Sequence, residues 1–125
     1  MSERVASYPY ETAVTAYGNG GFRFAEMSHK GSILCLPSGV YAWTASDAAT
    51  LTPDDFAQVF ADLKAPATLL LGTGLAQVWP DAVLTRAFTE AGLGIEAMST
   101  GAAARTYNVL LAEKRRVAAA LIAVA

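Results

Sequence analysis

Apolar positions change their spacing along the chain, and each change predicts a different element. Phe22 and Phe24 alternate with Arg23, the two-residue period of a short, half-buried strand. Before them, residues 1–20 carry no sustained period and are expected to form an irregular N-terminal arm. That arm ends in the Gly18-Asn-Gly-Gly21 turn, whose glycines suit positive φ values. Met27 to Gly31 is a polar stretch expected to turn, and it carries the single histidine, His29. Ile33–Leu36 and Val40–Trp43 then flank Pro37-Ser-Gly39, which predicts a β-hairpin with proline presetting the turn. The first third therefore reads as a small β-meander.

From Thr52 the period lengthens. Thr52-Pro-Asp-Asp55 is a helix start: a capping hydroxyl, proline at the first helical position, and two acids facing the positive end of the dipole. Phe56, Val59, Phe60 and Leu63 follow on one helical face, and Pro66 closes the segment. Ala67–Leu71 is a short apolar run, the pattern of a strand buried on both faces, and Gly72-Thr-Gly74 ends it. A second helix is expected from near Pro80, burying Val83, Leu84, Ala87, Phe88 and Ala91 and stopping at Gly92. Gly94–Met98 is the next strand. Strand, helix and strand in this spacing form a βαβ unit with parallel strands. A third helix is expected from Gly101, capped by Thr100. Lys114, Arg115 and Arg116 mark its C-terminal end, where cations complement the dipole. Val117–Ile122 is alanine-rich, which suits a helix, yet the basic cluster before it favours a stop and a final buried strand.

Composition narrows the class of protein. The 125 residues fit one domain, residues 1–125, large enough to bury a sizeable core. With 54% hydrophobic and 16% charged residues the chain is apolar for a folded domain, but no stretch reaches the roughly 18 apolar residues of a membrane span. The N-terminal stretch lacks the apolar core of a signal peptide, so a cytoplasmic location is expected. The lone Cys35 fits a reducing compartment. A net charge of −2 argues against a nucleic-acid partner held through phosphates.

Candidate chemistry is sparse. Gly72-Thr-Gly74 looks like the start of a dinucleotide fingerprint, but Gln77 stands at the third glycine position, and no acid follows the next strand. Cys35 in an apolar strand and His29 in a polar stretch read as a core residue and a solvated one, and no metal set or catalytic triad can be assembled from them. No cofactor is expected. Trp79 beside Pro80 would be a partner-binding anchor if exposed. The sharper constellation is Arg105 with Thr100, Thr106, Tyr107 and Asn108. A helical side chain leans toward the N-terminus, so Arg105 reaches back over Gly101 toward Ser99 and Thr100. A cation there opposes the helix dipole and calls for a compensating group. If the strands ending at Leu71 and Met98 are neighbours, then Gly72, Thr73, Gly74, Ser99, Thr100 and Arg105 share one crevice. That crevice would suit an anion. The competing structural expectation is that Arg105, Tyr107 and Asn108 tie loops together.

Met98-Ser-Thr-Gly-Ala-Ala-Ala-Arg-Thr-Tyr-Asn108, with Gly21-Phe-Arg23, Leu36–Trp43 and Leu71-Gly-Thr-Gly74, resembles the Mth938-like family over about residues 20 to 123. This domain family of unknown function includes the mitochondrial respiratory complex I assembly factor 3. The chain departs from the family pattern at Ser99, where aspartate is expected, at Ala104, where cysteine is common, and at Lys114, where a turn glycine stands. The resemblance implies a three-layer α/β fold: a mixed central sheet with helices and additional N-terminal β-structure. It also implies a last strand inserted antiparallel to its neighbours. No activity is established for the family, and its mitochondrial member works by binding other proteins. The expectation is thus a non-catalytic interaction or assembly module whose partners are proteins, those of a membrane complex under assembly among them. The alternative is a small-molecule or anion binder, or an enzyme, using the Gly72–Gly74/Thr100/Arg105 crevice. A homo-oligomer joined at a sheet edge or the Trp79 region is a third expectation.

Overall fold

In the computed structural model, which describes residues 6–62 and 66–125, the strands are β1 (Val14–Gly18), β2 (Gly21–Phe24), β3 (Met27–Lys30), β4 (Ser32–Leu36), β5 (Gly39–Trp43), β6 (Thr68–Gly72), β7 (Gly94–Met98) and β8 (Val117–Leu121). The helices are α1 (Ala57–Phe60), α2 (Ala82–Glu90) and α3 (Thr100–Ala112). Strands β1, β2 and β3 form an antiparallel three-stranded sheet. The other five form a mixed sheet in the order β5-β4-β8-β6-β7.

The final strand lies at the centre of that larger sheet. β8 pairs parallel with β6 and antiparallel with β4, so the expectation that it opposes all its neighbours holds on one side only. Its residues divide with the two-residue strand period. Ala118, Ala120 and Ile122 enter the apolar layer beneath α1 and α2, which contains Phe56, Val59, Leu84 and Phe88. Val117, Ala119 and Leu121 enter the layer beneath α3 and the three-stranded sheet, with Phe22, Phe24 and Tyr107. Small side chains on a central strand leave room for large ones above and below it, and that demand overrides alanine's helix preference. Phe88 packs edge-to-face on Phe56 at 5.1 Å and on Phe60 at 4.9 Å, each such pair adding about 1 kcal/mol beyond its buried area. The molecule is therefore an α/β fold of three layers.

Several local expectations need correction. The N-terminal arm is not irregular throughout: Val14–Gly18 is a strand, hidden from periodicity by a bulge between Val14 and Ala16. Met27–Lys30 is a strand rather than a turn. It is an exposed edge strand with no apolar alternation to reveal it, and the reversal lies at Ala25-Glu26, with φ of 49° and 62°. The helix after Thr52 begins as a 3-10 turn over Pro53–Phe56, held by the Thr52 amide donating to Asp55 Oδ2 at 2.8 Å. Leu63 lies outside the described residues. Helix α2 starts after Asp81, whose Oδ1 accepts from the Leu84 amide at 2.9 Å, so Asp81 rather than Pro80 sets its start. Leu84 and Phe88 are its buried face, while Val83 and Ala91 are exposed. Gly92, with φ of 71°, ends it as expected.

Helix α3 closes with a Schellman motif: Arg115 N–H donates to Leu110 O at 3.0 Å and Lys114 N–H to Leu111 O at 2.9 Å. Lys114 takes the left-handed conformation, φ 61°, in the place that glycine fills without strain.

Candidate functional site

Three parallel strands, β7, β6 and β8, end on the same side of the sheet, and the residues assigned to the expected crevice lie at those ends. β6 and β7 are neighbours in register, Gly72 beside Met98, which brings Gly72, Thr73, Gly74, Ser99 and Thr100 together. Ser99, not Thr100, caps α3: its Oγ accepts from the Ala102 amide at 3.3 Å. Both residue types cap well, so the choice between them falls to tertiary structure.

Thr100 is fully buried and joins the strand ends. Its hydroxyl donates to Ile122 O at 2.7 Å and accepts from the Gly74 amide at 3.0 Å, while its own amide donates to Gly74 O at 2.8 Å. Ile122 N–H donates to Gly72 O at 3.0 Å. Thr73 does the same work one strand over. Its amide donates to Met98 O at 2.9 Å, and its hydroxyl lies 2.6 Å from Ala76 O and accepts from the Val78 amide at 3.0 Å. A Cβ on Gly72 would sit 3.0 Å from both Thr100 Cα and a Leu121 methyl, so the strand end accepts only glycine without displacement. Gly74, at φ 107°, has the second glycine requirement. The amides of Gly74, Thr100 and Ala102 are thus engaged within the protein.

Arg105 is exposed and leans back over Gly101 as the helix geometry predicts, forming no ion pair among the described residues. The Tyr17 hydroxyl packs directly on Gly101, leaving no space for a Cβ. Tyr107 and Asn108 point elsewhere. Asn108 clips β1 onto α3, accepting from Val14 N–H at 2.9 Å and donating to Val14 O at 2.7 Å. Tyr107 is buried in the core with its hydroxyl lacking a hydrogen-bond partner among the described residues, and burial pushes its ionisation far above the ordinary phenol range. Burial likewise pushes the Cys35 thiol up to about 12, which keeps it protonated and unreactive at neutral pH. Among the described residues no group of His, Cys, Asp and Glu is arranged to hold a metal ion.

A second surface lies beside β7. Leu75, Trp79 and Val83 are 83%, 76% and 66% exposed. Trp79 borders a groove of about 550 Å³ lined by Gln77, Pro80, Thr85 and the strand residues Ile95–Met98. The Gln77 amide Nε2 donates to Ala97 O at 2.7 Å and fixes the loop across the end of the strand. Sequence spacing singled out Trp79 but not this groove. The available signal was Leu75, Val78 and Trp79 standing together in a segment that belongs to no strand or helix.

Fold and strand-end geometry define an α/β domain of the Mth938-like kind. The chain belongs to the family of proteins of unknown function DUF498/DUF598, whose model matches residues 14–122. It is 34% identical over 122 residues to an uncharacterised protein of Rhodobacter capsulatus, covering 98% of this chain and 93% of that one. Among solved structures it is similar to an outer membrane protein of Bartonella henselae, with a TM-score of 0.90 and 45% identity, covering 94% of this chain and 99% of that one. A Mth938-like domain of Bordetella pertussis matches with a TM-score of 0.76 and 31% identity, over 98% and 92% of the two chains. No helix among the described residues is long and apolar enough to cross a membrane.

Proposed function

We propose that this domain is a non-catalytic protein-interaction module of the assembly-factor kind, acting in the cytoplasm on a partner that belongs to a larger complex. One observation carries the reading: Trp79 stands 76% exposed beside a groove, with Leu75 and Val83 also bare. Burying such a tryptophan gains binding energy at little conformational cost, which is why tryptophan anchors interfaces. The polar residues that family resemblance singles out are largely committed to holding the fold. Thr100 ties strand ends and Asn108 ties β1.

Site-specific photo-crosslinking in the native cell tests the proposal, with a benzophenone side chain at position 79 and a control at exposed Arg23. A reproducible protein adduct at 79 and not at 23 is expected. Equal, non-specific labelling at both positions would contradict it.

A second reading draws on the exposed Arg105, which forms no ion pair among the described residues: the crevice of Gly72–Gly74, Ser99, Thr100 and Arg105 as an anion site. It predicts that phosphate raises the melting temperature of the wild type but not of Arg105→Ala. Equal effects on both would end it.

A further inference from the structure

The groove's floor is the free edge of the main sheet. Gly94 N–H donates to Ala67 O, and Met98 O accepts from Thr73 N–H, both on the β6 side. Strand groups alternate, so Ile95 and Ala97 direct their backbone groups outward from the sheet. Gln77 occupies Ala97 O. Ile95 N–H, Ile95 O and Ala97 N–H have no protein partner among the described residues.

The opposite edge of the same sheet is closed by the chain itself. Ser7 N–H donates to Val40 O at 2.8 Å, and Val40 N–H donates to Tyr8 O at 2.8 Å, an antiparallel bridge that covers β5. Extended backbone is what covers the one edge, and the other presents the same unmet hydrogen-bonding groups. Exposed edges of this sort invite strand addition, and proteins commonly guard them with charge. The charged side chain lining this groove is Glu96, which is exposed.

Resting on the interaction reading above, we propose that β7 and the Trp79 groove form a strand-addition site for an extended segment of a partner protein, with a basic residue opposite Glu96 and an apolar side chain against Trp79. Charge complementarity separates this occupant from a second copy of the chain. The antiparallel self-pairing that would match Ile95 with Ala97 of the other copy sets Glu96 directly against Glu96, and like charges opposite one another destabilise a strand pair. Backbone bonds supply affinity in strand addition, and alternate side chains supply the choice of partner.

The probe is a blocked peptide of alternating valine and threonine with one central lysine, alongside versions with glutamate at the lysine position or with proline at both the lysine and the residue after it, one of which directs its N–H at β7 in either strand direction. Binding is read by Trp79 fluorescence together with hydrogen exchange at the Ile95 and Ala97 amides. The lysine peptide is expected to slow exchange at both amides and to bind several-fold more tightly than the glutamate peptide. The proline peptide, lacking a donor, is expected to bind at least several-fold more weakly. Glu96→Lys is expected to reverse the lysine–glutamate preference, and Trp79→Ser, read by hydrogen exchange alone, to weaken the lysine peptide about ten-fold. Lack of preference in the wild type, or a preference unchanged by Glu96→Lys, would overturn the charge assignment and with it the proposal. Protection of Ile95 that rises with protein concentration and needs no peptide would overturn it in favour of a second copy. An adduct at position 79 together with unprotected Ile95 and Ala97 amides leaves the interaction module standing and removes strand addition. Absence of that adduct removes the module itself.

Discussion

The two polar neighbourhoods at the open side of the sheet differ in how their backbone groups are used. At the ends of β6 and β8, the Gly72, Gly74 and Ile122 backbone groups pair with one another or with Thr100. A few residues away, β7 leaves Ile95 and Ala97 facing outward beside an exposed tryptophan. Buried backbone polar groups must be paired, so the first neighbourhood is a structural knot that a substitution would unravel. Exposed edge groups are satisfied by water and become useful when a partner displaces it. Stability is thus concentrated in one place and availability in the other.

Opening the knot is expected to have the largest effect. Thr100→Val keeps the shape of the side chain but strands Ile122 O and Gly74 N–H in a buried site, which should cost about 3 kcal/mol in urea denaturation. The other end of the same helix offers a gain. Lys114→Gly relieves the left-handed backbone and should raise stability by about 1 kcal/mol. In the core beneath that helix, Tyr107→Phe removes an unpaired buried hydroxyl and should be neutral or stabilising by up to about 1 kcal/mol; a loss beyond that would reveal a hidden partner. The smallest effect belongs to the available surface: Trp79→Ser should change stability by less than about 0.5 kcal/mol, seen as an unshifted urea midpoint.

The parts of the fold legible in the sequence were those with one dominant cause. Ile33–Trp43, Ala67–Leu71 and Gly94–Met98 carried apolar runs punctuated by proline and glycine, and all appear as strands within a residue or so. Val117–Ile122 was readable because a basic stop precedes it, though its parallel pairing with β6 depends on which strands meet and is not local information. Strands β1 and β3 escaped because they lie exposed and, in β1, bulged, so pairing rather than burial forms them. Beside the candidate site, the lean of the Arg105 side chain over Gly101 follows from helix geometry. The exchange of roles between Ser99 and Thr100 was not legible, because either hydroxyl can cap and only the arrival of Ile122 decides which one turns inward. The openness of β7 was equally hidden, since it depends on there being no strand beyond it among the described residues.

The most direct measurement of this contrast is an amide-resolved NMR titration of the intact protein with the lysine-centred peptide. Shifts are expected at Ile95, Ala97 and the Trp79 indole, with Gly74, Thr100 and Gly101 unmoved. Shifts centred on Gly74, Thr100 and Gly101, with β7 unchanged, would contradict it.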